Sequence, residues 1–236
     1  MTKSEVIALL KANQDDRGIK NWNKLGAETG GLKSFGIGLT QLRKLGKKVG
    51  RDHKLALQLW RTDNHEAKIL GLLIDEPKKL TRKQVEEQVE EVGIGSLAHV
   101  FSSCDATLPK AAFAFDLARD WIKNKHDLRR RCGYGLIYEL SKDKRNKELT
   151  DEFFLDLLEH IREEIETEEN WVRLSMGGAL IGIGKRNKKL NRATIKIAKA
   201  IGPIDFNEGG KHFEPMDILK HLNSDYLKKK LGLSFA

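Results

Sequence analysis

Apolar side chains recur along this chain at intervals of three and four residues, the period of an α-helix, and nowhere sustain the alternation of a strand. Val6, Leu9 and Leu10 follow a Thr2–Glu5 capping box and predict a first helix. A second apolar segment, 19–25, carries Trp22, and Gly30 and Gly31 break the chain after it. Thr40 reads as the N-cap of a helix with Leu42, Leu45 and Val49 on one face and Arg43, Lys44, Lys47 and Lys48 on the other. Asp52 is placed to cap a helix holding Leu55, Leu59 and Trp60, and Asp63 or Asn64 to cap the next, which stops by Pro77. Thr81 and Gln84 form a second box, opening a polar helix to Val92 that Gly93 and Gly95 end. A short apolar helix is expected over 96–104, and Pro109 suits the first turn of a longer one. Amphipathic segments follow at 153–165 and 191–201. The tail changes character: 202–210 reads as an irregular loop before a short helix near 215–222, and it is expected to pack on the preceding helices because its apolar residues would otherwise face water.

Three stretches share one design. WIKNKHDLRRRCGYGLIYEL (121–140), WRTDNHEAKILGLLI (60–74) and ETEENWVRLSMGGALIGIG (166–184) each carry a basic residue after an apolar one, followed by a small or apolar helix face. In register these are Lys68, Arg129 and Arg173, at unequal offsets of 61 and 44 positions. Degenerate helix pairs repeating at about 40–47 residues are the pattern of HEAT-like arrays. The expectation is an all-α solenoid, one domain over 1–236 with N-terminal helices (1–33), repeats (34–201) and a packed tail (202–236). Stacking would bring the basic residues to one side as a concave basic groove, a site for DNA.

Composition is consistent with that picture. Of 236 residues, 39% are hydrophobic and 33% charged, too apolar for a disordered chain, and only 4 prolines interrupt it. The net charge of +9 suggests a polyanionic partner. Acidic residues are segregated into Glu86–Glu91 and Glu163–Glu169, leaving other faces more basic. Cys104 and Cys132 lack CxxC spacing and read as a reduced pair. The chain opens on no charged-then-apolar leader and holds no run long enough to span a bilayer, so a cytoplasmic monomer without a membrane partner is expected.

Familiar catalytic patterns are missing. His65-Glu66 lacks the second histidine of HExxH, the seven histidines show no metal-ligand spacing, and no nucleophile elbow exists, so neither metal nor cofactor is expected. The run Arg129-Arg130-Arg131 covers most of a helical turn, so at least one guanidinium must face a neighbouring element and needs a carboxylate or phosphate there. Lys185, Arg186, Lys188 and Lys189 form a second cluster, an ordinary basic turn or a grip on a flanking phosphate. Asp105 is either the cap of the following helix or a carboxylate that stabilises positive charge on a deoxyribose during glycosidic cleavage. Trp60 and Trp121, at the ends of apolar helices, read as core.

The segment 34–81, with its His-Glu-Ala-Lys-Ile-Leu element, resembles the AlkD-like DNA alkylation repair family of HEAT-like repeat proteins, and NWVRLSMGGALIGIG with the tail is similar to one branch of it. The resemblance implies a solenoid around duplex DNA and, in active members, release of cationic alkylpurines such as 3-methyladenine and 7-methylguanine. It also implies groove residues: two tryptophans, an aspartate and an arginine. The Trp-x-x-x-Asp element matches Phe101 to Asp105 with Phe in place of Trp, the arginine falls on Arg130 or Arg131 with Arg131 favoured, and the second tryptophan falls on Gly178. One wall of the implied site is therefore missing. The expected function is double-stranded DNA binding of the alkylation repair type, with slow excision of alkylated purines or none. The alternatives are a non-catalytic binder of DNA structures and a protein-binding scaffold.

Overall fold

The computed structural model describes residues 1–93, 95–205, 207–208, 211–212 and 214–233. Fourteen α-helices are present among them, in two compact units, 1–114 and 115–236.

In the first unit the helices are α1 (Lys3–Ala12), α2 (Asp16–Asn23), α3 (Leu39–Val49), α4 (His53–Trp60), α5 (His65–Ile74), α6 (Arg82–Val89) and α7 (Gly95–Ser102). Short polar side chains begin most of them by accepting an otherwise unpaired backbone N–H: Thr2 from Glu5, Asp52 from Leu55, Asn64 from Ala67 and Thr81 from Gln84. Two of the expected starts differ. α3 begins two residues early, with Gly38 rather than Thr40 as its N-cap and with no side-chain cap. Pro109 enters only a 3₁₀ turn, Leu108–Lys110, that Asp105 does not cap.

α5 is the axis of this unit, and all but one of its residues are buried. Gly71 permits its close approach to α4: a Cβ there would lie 2.9 Å from the Ala56 carbonyl oxygen. Burial on every side forces the polar residues of α5 to find internal partners. Glu66 accepts from the Ser34 hydroxyl (2.5 Å) and from the backbone N–H groups of Phe35 (3.0 Å) and Ile37 (3.2 Å), which shapes the loop before α3. His65 pairs with the Ser96 hydroxyl at 2.9 Å and lies against the Trp22 ring.

The second unit holds α8 (Ala114–Trp121), α9 (Asp127–Leu140), α10 (Asp151–Glu164), α11 (Asn170–Gly184), α12 (Lys188–Ile201), α13 (Ile218–Leu222) and α14 (Asp225–Leu231). α9 packs along α11 and α10 along α12. The α9–α11 contact needs small residues, since a Cβ on Gly182 would fall 2.6 Å from the Ser141 hydroxyl oxygen. Trp121 and Tyr134 are fully buried here, and Trp60 is buried in the first unit. The tail lies on α11 and α12. Ile204 and Met216 form an antiparallel bridge over Gly177, and Leu222 reaches Gly184. Within the expected irregular loop, Asn207–Glu208 pairs with Lys211–His212 as a two-residue hairpin; Phe206, Gly209 and Gly210 lie outside the described residues. α14 was not anticipated from the pattern.

Candidate nucleic-acid interface

A cationic side chain is available to a ligand only where the fold has not already partnered it, and on this criterion the expected basic residues divide. Lys68 is buried. Its ammonium donates to the Trp60 carbonyl (2.7 Å) and to Glu91 (2.9 Å) and lies over the Trp60 ring. Arg130 grips both oxygens of Glu168, at 2.5 and 2.6 Å, and donates to the carbonyls of Asn124 and Lys125. Burial, the largest single influence, would raise the Glu168 carboxyl, but the Arg130 hydrogen bond, the Glu169 backbone N–H and the charges of Arg130 and His160 together hold the group below its ordinary value. Arg186 donates to the carbonyls of Ser141, Asp143 and Leu149, tying the end of α9 to the turn before α10. These three cations belong to the scaffold, which corrects the expectation that they contact DNA. Lys189 faces solvent beside Glu152 at 3.3 Å, and Lys188 is exposed.

Two more expected site residues are placed differently from the sequence reading. Phe101 is 1% exposed and packs against Trp60 inside the first unit, so its ring offers no face to a sugar. Arg131 is also buried, its guanidinium stacked 4.1 Å from the centre of the Trp171 ring. Trp171 is half-buried and seven residues before Gly178 on α11, so the two share a helix face. Space around Gly178 is open, with nothing within 4 Å of a Cβ built there. Arg129 is half-buried on the first turns of α9. Arg173 holds a buried Nε with no hydrogen-bond partner among the described residues, a donor that an anion would satisfy.

Asp105 is not the cap of the Leu108–Lys110 turn, whose N-cap is Thr107. Cys104 and Asp105 both adopt the left-handed region, with φ of 57° and 69°. That conformation is disfavoured for residues other than glycine and concentrates at functional sites. It carries the Asp105 carboxylate outward, 72% exposed, to an ion pair with Arg43 at 3.1 Å. Lys110 donates to the Asp105 carbonyl at 3.0 Å. Together with Lys47 and Arg51 these groups line a cleft of about 470 Å³ beside α3 and α5. Arg51 is structural, donating to the Asp75 carbonyl and the Thr107 hydroxyl.

The rest of α3 extends this cleft. Lys44, Lys47 and Lys48 are exposed and have no ion-pair partner among the described residues, and α3 contains no acidic residue. The sequence displayed this basic face plainly, yet it fell outside the repeat register that directed attention to Lys68, Arg129 and Arg173. The absence of any carboxylate between Leu39 and Val49 was the signal that could have found it.

The architecture of stacked helices is that of a helical-repeat protein. The fold matches, at a TM-score of 0.84, a solved structure from a family described as related to the HEAT-like repeat DNA glycosylases with affinity for branched DNA structures. The two chains are 21% identical, and the match covers 99% of this chain and 97% of that one. This is a HEAT-like repeat fold. Residues 6–213 match the model of the DNA alkylation repair enzyme family, and the chain belongs to that family. Its relatives include the uncharacterized proteins Lin0241 of Listeria innocua and Lmo0209 of Listeria monocytogenes, each 26% identical over 81% of this chain and 83% of its own length.

Proposed function

We propose that the chain is a DNA-binding protein of the alkylation repair type whose phosphate contacts lie on α3. The observation that carries this reading is the row Lys44, Lys47 and Lys48 beside the Arg43–Asp105 cleft: cations the fold leaves unpaired on a helix without a carboxylate. Phosphates, rather than base edges, suit such a row, because lysine ammonium groups contact the backbone without reading sequence. Family membership and the affinity of the structural neighbour for branched DNA support DNA as the ligand. On this proposal the chain binds double-stranded DNA as a cytoplasmic monomer.

Excision, on this reading, is slow or absent. Phe101 is buried, Gly178 supplies no ring, and the Asp105 carboxylate is already neutralised by Arg43. A carboxylate stabilises an oxocarbenium-like sugar only if its charge is free to face it. Such activity as exists should therefore depend on Asp105 and rise when Arg43 is removed.

The test is a fluorescence-anisotropy titration of labelled duplex and four-way-junction DNA over a salt series. Lys44→Glu/Lys47→Glu/Lys48→Glu should abolish most binding, and the single Lys47→Ala should flatten the log–log salt slope by about 0.9. A salt-independent affinity, or a triple variant that binds like wild type, would leave α3 as an ordinary solvated face. A parallel assay for release of 7-methylguanine and 3-methyladenine, with Asp105→Asn as control, measures the chemistry.

A further inference from the structure

α14, the last helix among the described residues, presents an exposed aromatic ring beside lysines. Its single buried residue is Leu227, which anchors it. Tyr226 is 77% exposed, the one Phe, Trp or Tyr side chain among the described residues that stands mostly in water. Exposing a large ring forgoes the burial that stabilises such rings as Trp121, Tyr134 and Phe154. Lys229 and Lys230, both exposed, lie three and four residues after Tyr226 and so share its helix face.

The cations continue beyond α14. The ammonium of Lys188, at the start of α12, lies 3.5 Å from where a Cβ on Gly232 would stand, so it sits against the end of α14. Lys185 is disfavoured as an ammonium first by its burial, then by the nearby charges of Lys142 and Lys230. Of these, Lys142 has a carboxylate partner, Glu139 at 2.8 Å. A concentration of like charge around a partly desolvated lysine is unfavourable in the free protein and is relieved by a polyanion.

We propose that the Tyr226–Lys229–Lys230 face of α14, backed by Lys185 and Lys188, binds unpaired nucleotides, the tyrosine ring stacking on an unstacked base while the lysines contact the flanking phosphates. The inference rests on the reading of the chain as a DNA-binding protein. It adds a second contact, specific for single-stranded segments at forks, flaps or junctions. An exposed ring with two lysines on its helix face fits that ligand because every base offers a π-face and every linkage a charge. In an intact duplex the bases are stacked on each other and give the ring nothing to cover.

The experiment compares a blunt duplex with a forked duplex of the same sequence carrying a single-stranded arm with 2-aminopurine. Wild type should bind the fork more tightly and quench the fluorophore. Tyr226→Ala should weaken the fork by about tenfold, remove the quenching and leave the blunt duplex within about twofold. Tyr226→Phe should retain both, whereas Lys229→Glu/Lys230→Glu should weaken the fork while the complex that still forms at saturation keeps its quenching. A wild type that binds duplex and fork equally, with Tyr226→Ala changing neither, overturns this proposal while DNA binding through α3 stands. A wild type that binds neither overturns both. Tyr226-dependent binding to vesicles of anionic phospholipid, with no effect of the substitution on the fork, would assign α14 to a membrane surface instead and overturn the proposal.

Discussion

Lys68→Met separates a role in folding from a role in binding. The Lys68 ammonium makes two charge-assisted hydrogen bonds, to the Trp60 carbonyl and the Glu91 carboxylate, and lies 4.4 Å from the centre of the Trp60 ring. Methionine preserves most of the length and apolar contact of the stem, so the loss is confined to the charge. A hydrogen bond to a charged group contributes about 1.5–3 kcal/mol. The Trp60 carbonyl should account for most of the loss, because Glu91 is 54% exposed and rehydrates when its partner goes. The cation–π contact adds about 1 kcal/mol, and relief of the desolvation of the ammonium works in the opposite direction. The net expectation is a loss of about 2–3 kcal/mol, or about 5–10 °C in Tm for a chain of this size. Lys68→Ala, which also removes three buried methylenes, should lose about 2 kcal/mol more. Urea and thermal denaturation measure these losses, and DNA titration well below the lower Tm measures binding. The folded Lys68→Met protein should bind within about twofold of wild type, since no phosphate contact is lost. A variant that melts with wild type but binds DNA weakly would refute the reasoning and return Lys68 to the interface.

Four further outcomes follow from groups packed within the fold. Burial is the main cause holding the His65 imidazole below its ordinary value of 6.5, against the opposing charge of Glu66. The unfolded chain therefore takes up a proton that the folded chain refuses, so stability is complete above that pH and falls below it by at most about 1.4 kcal/mol per unit. Urea midpoints collected from about pH 8 to about pH 5.5 should show this decline, and a His65→Gln variant with the same slope would clear His65 of responsibility. The Tyr134 hydroxyl is buried with no partner among the described residues, so Tyr134→Phe should leave stability unchanged or raise it by about 1 kcal/mol; a clear loss in a melting experiment would mean that the hydroxyl is bonded after all. A Cβ on Gly133 would lie 2.8 Å from the Ile122 backbone nitrogen, so Gly133→Ala should destabilise by about 1–3 kcal/mol in chemical denaturation, an effect that wild-type behaviour of the variant would disprove. Glu168→Gln should weaken the clamp on Arg130 by about 2 kcal/mol and shift the acid-unfolding midpoint, whereas an unmoved midpoint would show that the pair adds nothing.

The helices were legible because their signals are local. Asp52, Asn64 and Thr81 each accept the N–H three residues on, and a spacing of three can be read directly from a sequence. Apolar periodicity likewise placed Trp121 and Trp60 in the core. The arginine run was read correctly in kind, since one guanidinium did need a carboxylate. The partner, Glu168, lies 38 positions away and carries no local mark of its role. The same limit accounts for Lys68 and Arg186. Periodicity assigns a residue to a helix face, but only packing decides whether that face meets water, a carbonyl or a carboxylate. Phe101 was misplaced for a related reason: alignment to a Trp-x-x-x-Asp pattern fixes spacing along one helix, and α7 turns the ring toward Trp60. The missing ring at Gly178 was visible in advance because an absent side chain needs no partner to be recognised. The basic face of α3 lay outside the repeat register, of whose basic members Lys68 is buried while Arg129 and Arg173 are only half-buried.

The buried polar residues of α5 have a consequence for how the first unit opens. Glu66 fastens the loop 34–37, His65 meets Trp22 on one side and Ser96 on the other, and Lys68 joins Trp60 to Glu91. Segments about thirty residues to either side are thus fastened to a single helix. None can detach without leaving an ionised or polar group stranded in an apolar interior. Local fraying, the usual fate of peripheral helices, is therefore suppressed, and amide protons across the segments 34–37 and 64–74 should exchange together at the rate of global opening. The stretch that most clearly marks the ancestry of this protein is thus one that governs cooperative unfolding, so kinship read from it reports a shared scaffold and leaves the chemistry free to diverge.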